Sequence, residues 1–554
     1  MNNSAPDRWL NGWTLCLACL AVYAPLFWQI PLSRSEGMYA LIPMEMLASG
    51  SWLTPTLNGA PYLDKPPLLY WLNLIGYKIF GVSDWSARLP TLGLSVLEVW
   101  LTYLIGRRLL GVRAAWLGGV VLLSSVGFCA LHLQLLTDHI ITVSMAASLY
   151  FMMRWKDEPA FKWAVLFFLG LVAGFLSKSF IGAGFPVLIC LLYALSLRQP
   201  RLLSLIFSPK GLALAILLIV PWFVGVEKAH PGFLKHQIIN EQFLRFFGQR
   251  QPADIIPFSL WGFWVFLLIW LMPWTVLLPE ALIKFWRQTR GDNQEARLLL
   301  IWAGVILGFF TLSASRIEYY SMPALPPLAL VVGWRLERYL ASSQDRRPYW
   351  ALLAVAVVGM FVVVLLPHLE ALCVGNRREF IGMAPMILPL AKPASFILPG
   401  LALGGVIFGR RRPWVVVTCF SALALVVAFF TFISLYILSP HLSDKAPAEY
   451  LRDNAGPQDV IVMERIEEFE LGASLVFYSG RRLLMVQRDG LPQFPYPVAP
   501  QDNYLISPSR LKELWHSSAR VFLLIDDAVP AEPYLEEAAT VLRIPSKRLL
   551  VNRP

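Results

Sequence analysis

Long apolar stretches fill residues 13–438 and constrain the fold more than any other feature. A bilayer core about 30 Å thick needs about 20 apolar residues per helix. Backbone polar groups at that depth must be paired within the segment, which favours helices. We predict an all-α polytopic membrane protein with about thirteen transmembrane helices. They lie near residues 13–32, 91–106, 114–133, 139–153, 162–178, 180–197, 211–226, 258–279, 297–314, 319–336, 349–367, 384–408 and 413–438.

The basic residues predict an orientation for these helices. The chain is 57% hydrophobic and carries a net charge of +11. That charge lies in short loops after the even-numbered helices, as expected for cytoplasmic loops, and not in an arm that would bind nucleic acid. The loops contain Arg107, Arg108 and Arg113; Arg154 and Lys156; Arg198, Arg201 and Lys210; Lys284, Arg287 and Arg290; Arg335, Arg338, Arg346 and Arg347; and residues 410–412. We therefore place the N-terminus in the cytoplasm and the C-terminus outside it.

Two domains are predicted. Residues 1–440 form the transmembrane domain, which includes a long outward loop at 33–90 with helical stretches at 36–49 and 68–80. Residues 441–554 have an ordinary soluble composition and form a small α/β domain outside the cytoplasm. Its strand-like runs lie at 460–463, 474–478, 483–486 and 521–525.

Charged residues collect at the outward ends of the predicted helices. The cations are Lys65, Arg88, Lys178, Arg245, Arg250 and Arg316, and the carboxylates are Glu36, Asp64, Asp84, Asp138, Glu241 and Glu318. Cations on this side oppose the topological bias and indicate an anionic ligand, of which a lipid phosphate is the obvious one. Structural readings stand beside this one: a cation can snorkel, Asp138 can cap a helix, Arg88 can pair with Asp84, and Tyr319 and Tyr320 can belong to the aromatic belt.

The outward loop carries a more specific pattern. It reads S-E-G-M-Y-A at 35–40, S-G-S-W at 49–52, L-N-G at 57–59 and Y-L-D-K-P-P-L-L-Y-W at 62–71. This resembles the bacterial family-39 glycosyltransferases, a group that includes lipid A aminoarabinose transferases and relatives of protein O-mannosyltransferases. Their loop commonly reads D-E-x-x-Y-A, S-G-D-W, L-N-G and Y-x-x-K-P-P-L-x-Y-W. The resemblance covers roughly the first 340 residues.

The resemblance implies a GT-C membrane fold and an inverting transferase. Such an enzyme moves a sugar from a polyprenyl-phosphate donor to a lipid (lipid A-like), glycan or protein acceptor at the periplasmic face of the bacterial inner membrane. Lys65, Lys178 and Arg316 would bind the donor phosphate, whose developing charge needs positioned cations. The remaining pocket candidates are Ser35, Tyr39, Asp64, Tyr70, Arg88, Glu241, Arg245, Tyr319 and Tyr320.

One position departs from the family pattern. The family's usual first-loop Asp, the favoured general base, is Ser35 here, and a serine hydroxyl is a poor base at neutral pH. Glu36 or Asp138 can take that role, and we expect these two to form the catalytic acidic pair. Alternatively, the acceptor arrives already ionised, or activity has been lost.

We expect no cofactor. A divalent cation held by Glu36, Asp64 and Asp138 is the less favoured possibility, because Lys and Arg alone can neutralise a phosphate leaving group. Two other functions remain open at this point: a transporter or flippase of a lipid-linked sugar, and a catalytically inactive relative. A transporter should carry polar residues at the bilayer midplane, where the sequence indicates few charges.

Overall fold

The computed structural model describes most of the chain. The described residues are 9–28, 30–251, 259–291, 293–342, 348–357, 378–409, 412–464, 472–486, 503–526, 532–535, 538–544 and 547–553. The predicted cytoplasmic residues Arg346 and Arg347, residues 410 and 411, and the second half of the span predicted at 349–367 lie outside them.

Most described residues between 12 and 442 are helical. The helices are α1 (Gly12–Tyr23), α2 (Arg34–Ser49), α3 (Leu68–Phe80), α4 (Asp84–Leu110), α5 (Val112–Leu123), α6 (Val126–Leu131), α7 (Asp138–Asp157), α8 (Phe161–Ser196), α9 (Arg201–Ile206), α10 (Pro209–Ala229), α11 (Phe233–Lys235), α12 (Leu260–Trp270), α13 (Leu278–Arg290), α14 (Arg297–Leu312), α15 (Leu325–Ala341), α16 (Pro348–Val357), α17 (Arg378–Gly409) and α18 (Pro413–Leu442). A π-helix (His236–Leu244) follows α11, and a short antiparallel hairpin of β1 (Thr56–Leu57) and β2 (Ala60–Pro61) lies between α2 and α3.

The protein is a multi-pass membrane protein. Over the described part of the chain, five helical stretches are long and apolar enough to cross a bilayer, and a sixth is added if the pair bent by 100° at residues 271–273 is one span. The five are Asp84–Leu110, Phe161–Ser196, Arg201–Ala229, Gln294–Leu312 and Pro413–Leu442, and the bent pair is Leu260–Trp270 with Trp274–Arg290. Length and composition alone thus identify fewer spans than the thirteen predicted.

Helix α8 is a hairpin of two arms and not one straight rod. Its backbone leaves helical geometry at Lys178 and Ser179. A Cβ added to Gly182 would lie 1.9 Å from the carbonyl oxygen of Gly174. Eight residues of straight helix would separate these two glycines by about 12 Å, so the two arms must fold back on each other. The arms match the two spans predicted at 162–178 and 180–197.

Helices α4 and α7 run in the same direction, which gives the bundle two chemically different ends. At their N-terminal ends, Arg88 of α4 and the backbone of Leu135 just before α7 both donate hydrogen bonds to Glu36. At their C-terminal ends, Arg108 forms an ion pair with Asp157. The outward loop therefore lies at the N-terminal ends of both helices.

The C-terminal region is a six-stranded mixed sheet with helices. Strands follow the order β5-β4-β3-β6-β8-β7. Strands β3 to β6 are parallel, and β8 is antiparallel to both of its neighbours, β6 and β7. The elements are α19 (Lys445–Asn454), β3 (Val460–Glu464), α20 (Ala473–Ser479), β4 (Leu484–Val486), β5 (Leu505–Ile506), α21 (Pro508–His516), β6 (Val521–Asp526), β7 (Ala539–Ile544) and β8 (Lys547–Val551). The strand predicted at 474–478 was wrong, because those residues form α20.

The outward loop and the C-terminal sheet share one hydrophobic core. Buried side chains of α2 and α3, such as Leu41 and Leu74, belong to the same cluster as Leu475 of α20 and Phe522 of β6. The apolar packing therefore crosses the predicted domain boundary at residue 440.

Candidate functional site

Three cations converge on one buried carboxylate at the outward end of the bundle. Glu241 lies in the π-helix and accepts hydrogen bonds from Lys65 (Nζ to Oε2, 3.1 Å), from Arg245 (Nη1 to Oε2, 2.7 Å) and from Arg250. Arg250 also donates to Asp64 (Nη2 to Oδ2, 2.9 Å). Lys65 and Asp64 come from the Lys-Pro-Pro segment before α3, so this network joins two distant parts of the chain.

The π-helix explains how these groups reach one place. Hydrogen bonding between residues i and i+5 is rare in proteins, but where it occurs it often lies at a functional site. It brings together His236 and Glu241, five residues apart, and the His236 Nε2 lies 2.8 Å from Oδ1 of Asp64. Burial of the Glu241 carboxyl pushes its pKa up, but Lys65, Arg245 and Arg250 outweigh that and hold the pKa well below its usual range. Glu241 is therefore a carboxylate at neutral pH.

A second ion pair lies beside this cluster. Lys178, at the break between the two arms of α8, donates to both Asp138 oxygens at 2.8 and 2.9 Å. Its ammonium group also lies 4.6 Å from the ring centre of Tyr320. The charges of Arg245 and Glu241 are close enough to act on Lys178.

Hydrogen bonds connect the two networks through the π-helix. Ser179, in the left-handed region with φ of 51°, donates from its hydroxyl to Gln237 at 3.1 Å. Gln237 in turn donates to the carbonyl of Leu63 at 2.6 Å. Leu63 immediately precedes Asp64 and Lys65, so the turn of α8, the π-helix and the Lys-Pro-Pro segment form one connected unit.

A metal-ligand set is present, but it differs from the predicted one. Ligand atoms of Asp64, His236 and Glu241 lie within 4.8 Å of one another. Glu36 and Asp138, which we had considered with Asp64, instead pair with Arg88 and Lys178. The guanidinium of Arg250 contacts both Asp64 and Glu241, so a metal ion bound there would compete with it.

Glu36 is fully engaged in structural contacts. Its two oxygens accept hydrogen bonds from Nε and Nη2 of Arg88, both at 2.8 Å, and from the backbone of Ser33 and Leu135 at 2.9 and 3.1 Å. The contact with Ser33 completes a capping box at the start of α2. Neighbouring Ser35 is exposed, with its hydroxyl 3.4 Å from that of Ser33.

The predicted aromatic residues lie at two places. Tyr39 and Tyr70 are buried and stacked, with ring centres 6.4 Å apart. Tyr319 and Tyr320 form an edge-to-face pair at 5.5 Å just before α15. Tyr320 of the second pair contacts a cation of the site, Lys178.

Arg316 lies at the C-terminal end of α14. Its guanidinium donates to the carbonyls of Thr311 and Ser313, which are orphan acceptors at a helix end. The backbone of Ala314 donates to Phe246, the residue after Arg245, at 2.9 Å. Arg316 thus lies in a segment next to the cluster and bonds to the end of its own helix.

Sequence reasoning missed several buried polar residues. His236, Gln237 and Ser179 gave no motif, since the bonds that join the Lys-Pro-Pro segment, the π-helix and the turn of α8 link residues at least 58 positions apart. It also missed Glu98, which bonds to His132 at 3.0 Å, with the His139 ring 4.6 Å from that of His132. Glu98 lies at the middle of α4, so the expectation of few charges at helix centres needs this correction; a lone Glu within an apolar run was the available signal.

Comparison with known proteins supports the fold and the resemblance. The sequence profile described as dolichyl-phosphate-mannose-protein mannosyltransferase matches residues 64–224. An undecaprenyl phosphate-alpha-4-amino-4-deoxy-L-arabinose arabinosyl transferase of Pseudomonas fluorescens is 32% identical over 351 residues, which is 60% of this chain and 61% of the relative. Its counterpart from Edwardsiella ictaluri is 30% identical over 337 residues, 58% of this chain and 60% of the relative.

Two solved structures match almost the whole chain. ArnT from Cupriavidus metallidurans, bound to undecaprenyl phosphate, superposes with a TM-score of 0.80 and 22% identity over 98% of each chain. The same protein in the apo state gives a TM-score of 0.80 over 99% of this chain and 98% of that chain. In sequence, by contrast, the match spans about three fifths of the length of the curated relatives. The chain therefore has the predicted GT-C membrane fold, and its resemblance to the family-39 glycosyltransferases is confirmed.

Proposed function

We propose that the protein is an inverting glycosyltransferase that uses a polyprenyl-phosphate sugar donor. The observation that carries this proposal is the convergence of Lys65, Arg245 and Arg250 on Glu241, with Lys178 nearby. Four cations beside three carboxylates (Asp64, Asp138 and Glu241) leave an excess of positive charge at a headgroup-level site. A lipid phosphate is the anion that this environment would attract.

The same cations serve the chemistry. An acceptor oxygen attacks the anomeric carbon, the bond from that carbon to the phosphate oxygen breaks, and the lipid phosphate leaves with the bonding electrons. Positive groups placed where this charge develops stabilise the transition state. The donor phosphate would replace Glu241 as the partner of Lys65 and Arg245.

The acceptor is best explained as a group that arrives already ionised. Ser35 stands where a basic carboxylate would be expected, and Glu36 holds four hydrogen bonds. For a hydroxyl acceptor, Asp138 is the remaining base, and it would take the acceptor proton after Lys178 turns to the phosphate. A phosphate group on a lipid A-like acceptor needs no such step.

The names of the relatives suggest the donor. Those proteins are arabinosyl transferases of undecaprenyl phosphate-4-amino-4-deoxy-L-arabinose, so we propose this donor for the present chain. We also propose that the N-terminus lies in the cytoplasm, the side on which basic loops are expected, so that the site faces the periplasm from the inner membrane.

A transfer assay tests this function directly. Purified protein is mixed with labelled undecaprenyl-phosphate aminoarabinose and with lipid A that is either phosphorylated or dephosphorylated. We expect label on the phosphorylated lipid. Lys65→Met should weaken donor binding about 10- to 100-fold, the range for a charge-assisted contact. Lys78→Met is the control. Lys78 is an exposed lysine of the same outward loop, and its ammonium group lies over the ring of Trp52. No transfer by the wild-type protein would refute the proposal.

One observation favours a second candidate, a flippase. Glu98, in the middle of the membrane-spanning helix α4, forms a buried pair with His132 at the end of α6, and such residues often line transport paths. Both side chains are only 1% exposed, which favours a sealed pair over a path. Proteoliposomes that flip labelled donor without transferring its sugar would support the flippase, and donor that stays intact on its original side would support an inactive relative.

A further inference from the structure

We propose that residues 441–554 act as a positioning element that holds the outward loop, and with it Lys65, in the geometry that binds the donor phosphate. This inference rests on the proposed function. It assigns a task to the C-terminal domain, and it gives the L-N-G pattern at 57–59 a role outside the chemistry.

Asn58 is the central contact. Its side-chain amide donates to the carbonyl of Leu483 at 2.8 Å, and its amide oxygen accepts from the Leu483 backbone N–H at 3.1 Å. Asn58 is buried and has φ of 52°, a conformation that Asn tolerates better than most residues. One side chain therefore satisfies both backbone groups of a residue in the C-terminal domain, in the manner of a strand partner.

Gly59 completes this contact. It has φ of +84°, and a Cβ there would lie 2.3 Å from Cζ of Arg482. The Gly59 N–H donates to the Glu45 carboxylate, whose charge is attracted by Arg482. A side chain at position 59 would displace the flexible Arg482 guanidinium, and the positive φ itself favours glycine at this turn.

A second contact fixes the start of α2. A Cβ on Gly37 would lie 2.6 Å from the backbone of Ser474 in α20. Asp444 accepts from the Ser474 hydroxyl at 2.8 Å and pairs with the buried Lys547 of β8. The domain is therefore held against the loop at two points, one at the start of α2 and one at the turn of the β1–β2 hairpin.

The path from these contacts to the site is short. Strand β2 leads directly into Tyr62, whose N–H donates to the carbonyl of Pro55 at 2.8 Å. Leu63 is then held by Gln237 of the π-helix, and Asp64 and Lys65 follow. The Lys65 segment is thus fixed from one side by the C-terminal domain and from the other by the π-helix, and loss of either anchor would let Lys65 leave its binding position.

The test compares two asparagines that both bridge backbone groups. Asn58→Ala removes the contact between domain and loop. Asn552→Ala removes similar bonds inside the domain, to Trp515, Ala519 and Val521. In the purified full-length protein, we expect Asn58→Ala to bind undecaprenyl phosphate about tenfold more weakly, comparable to one or two lost hydrogen bonds. It should also raise the donor KM and lower kcat, because a displaced Lys65 neither binds the donor phosphate nor stabilises the charge that develops on it. Asn552→Ala should lower the Tm by as much as Asn58→Ala does and leave the binding of undecaprenyl phosphate unchanged.

Hydrogen exchange separates this inference from the proposed function. The amides of Leu63, Asp64 and Lys65 should exchange faster in Asn58→Ala than in Asn552→Ala, even if the wild-type protein binds no lipid phosphate. Unchanged exchange and binding in a folded Asn58→Ala variant would overturn the positioning role. Equal effects of Asn58→Ala and Asn552→Ala on exchange and binding would also overturn the positioning role. Wild-type protein that binds no undecaprenyl phosphate would refute the proposed function, while exchange still decides the positioning role.

Discussion

At the residue scale, Glu36 of the outward loop and Arg88 of α4 form a buried ion pair that contributes to stability. Glu36 and Arg88 are both almost completely buried. Besides its bonds to Glu36, Arg88 donates hydrogen bonds to the carbonyls of Ile30 and Pro31. Removing one partner of a buried pair strands a charge and costs about 3–5 kcal/mol. We expect Glu36→Ala to lower the free energy of unfolding by that amount, as measured by denaturation in detergent.

The control is the reciprocal change. Arg88→Ala should cost about as much as Glu36→Ala, while the variant with Glu36→Leu and Arg88→Met should recover part of the loss, because no charge is then left buried. Transfer per folded molecule should persist in all three. A Glu36→Gln variant of unchanged stability that loses transfer would show instead that Glu36 takes part in the chemistry.

The sequence predicted the charges of the site better than their partners. Counting cations at outward helix ends pointed to Lys65, Lys178 and Arg245, which the structure places close together. Glu241, the partner of Lys65, is 176 residues away in the sequence, and Glu36, which accepts from Arg88, is 52 residues away. Local patterning carries no information about such pairs, so the sequence could not show that Glu36, a member of the predicted catalytic pair, bonds to Arg88.

At the element scale, the hairpin of α8 shows how small residues create the site. Gly174 and Gly182 let the two arms touch, and this contact sets the turn that presents Lys178. A methyl group at 182 would meet a backbone carbonyl that cannot move cheaply. We therefore expect Gly182→Ala to destabilise the protein by about 1–3 kcal/mol or more and to reduce transfer.

Gly184 is the matched control for this prediction. It lies in the same arm, and a Cβ there would meet nothing within 4 Å. Gly184→Ala should be neutral or stabilise the helix by up to about 1 kcal/mol. Equal thermal stability of the two variants in detergent would contradict the tight contact between the arms.

Element type was predictable where local pattern and packing agree. The predicted helices at 36–49 and 68–80 match α2 and α3 almost residue for residue. The segment 474–478 contains Val476, Phe477 and Tyr478, which favour strands, yet it forms a helix whose buried face packs on α2 around Gly37. The π-helix likewise depends on tertiary contacts, so no periodicity in the sequence could indicate it.

At the scale of the whole molecule, the fold separates two chemically different ends. One end holds the outward loop, the C-terminal domain and the cation cluster, and Lys445 of that domain pairs with Asp84 at the start of α4. The other end holds the pairs Arg108–Asp157 and Lys156–Glu295. Helix α4 has 27 residues, so about 40 Å lies between its ends, and a lipid-linked substrate is expected to react at one membrane face only.

This polarity predicts opposite labelling of two single cysteines in a variant whose six natural cysteines are replaced. Ser35→Cys lies in the outward loop, where the residue is exposed. Lys162→Cys lies at the far end of the first arm of α8, where its side chain is 60% exposed. A membrane-impermeant maleimide should label position 35 in spheroplasts and position 162 in inverted membrane vesicles, as the proposed periplasmic orientation of the outward loop requires. The reverse pattern would place the site in the cytoplasm and contradict a periplasmic acceptor, while labelling of both positions from one side would contradict the separation of the two ends.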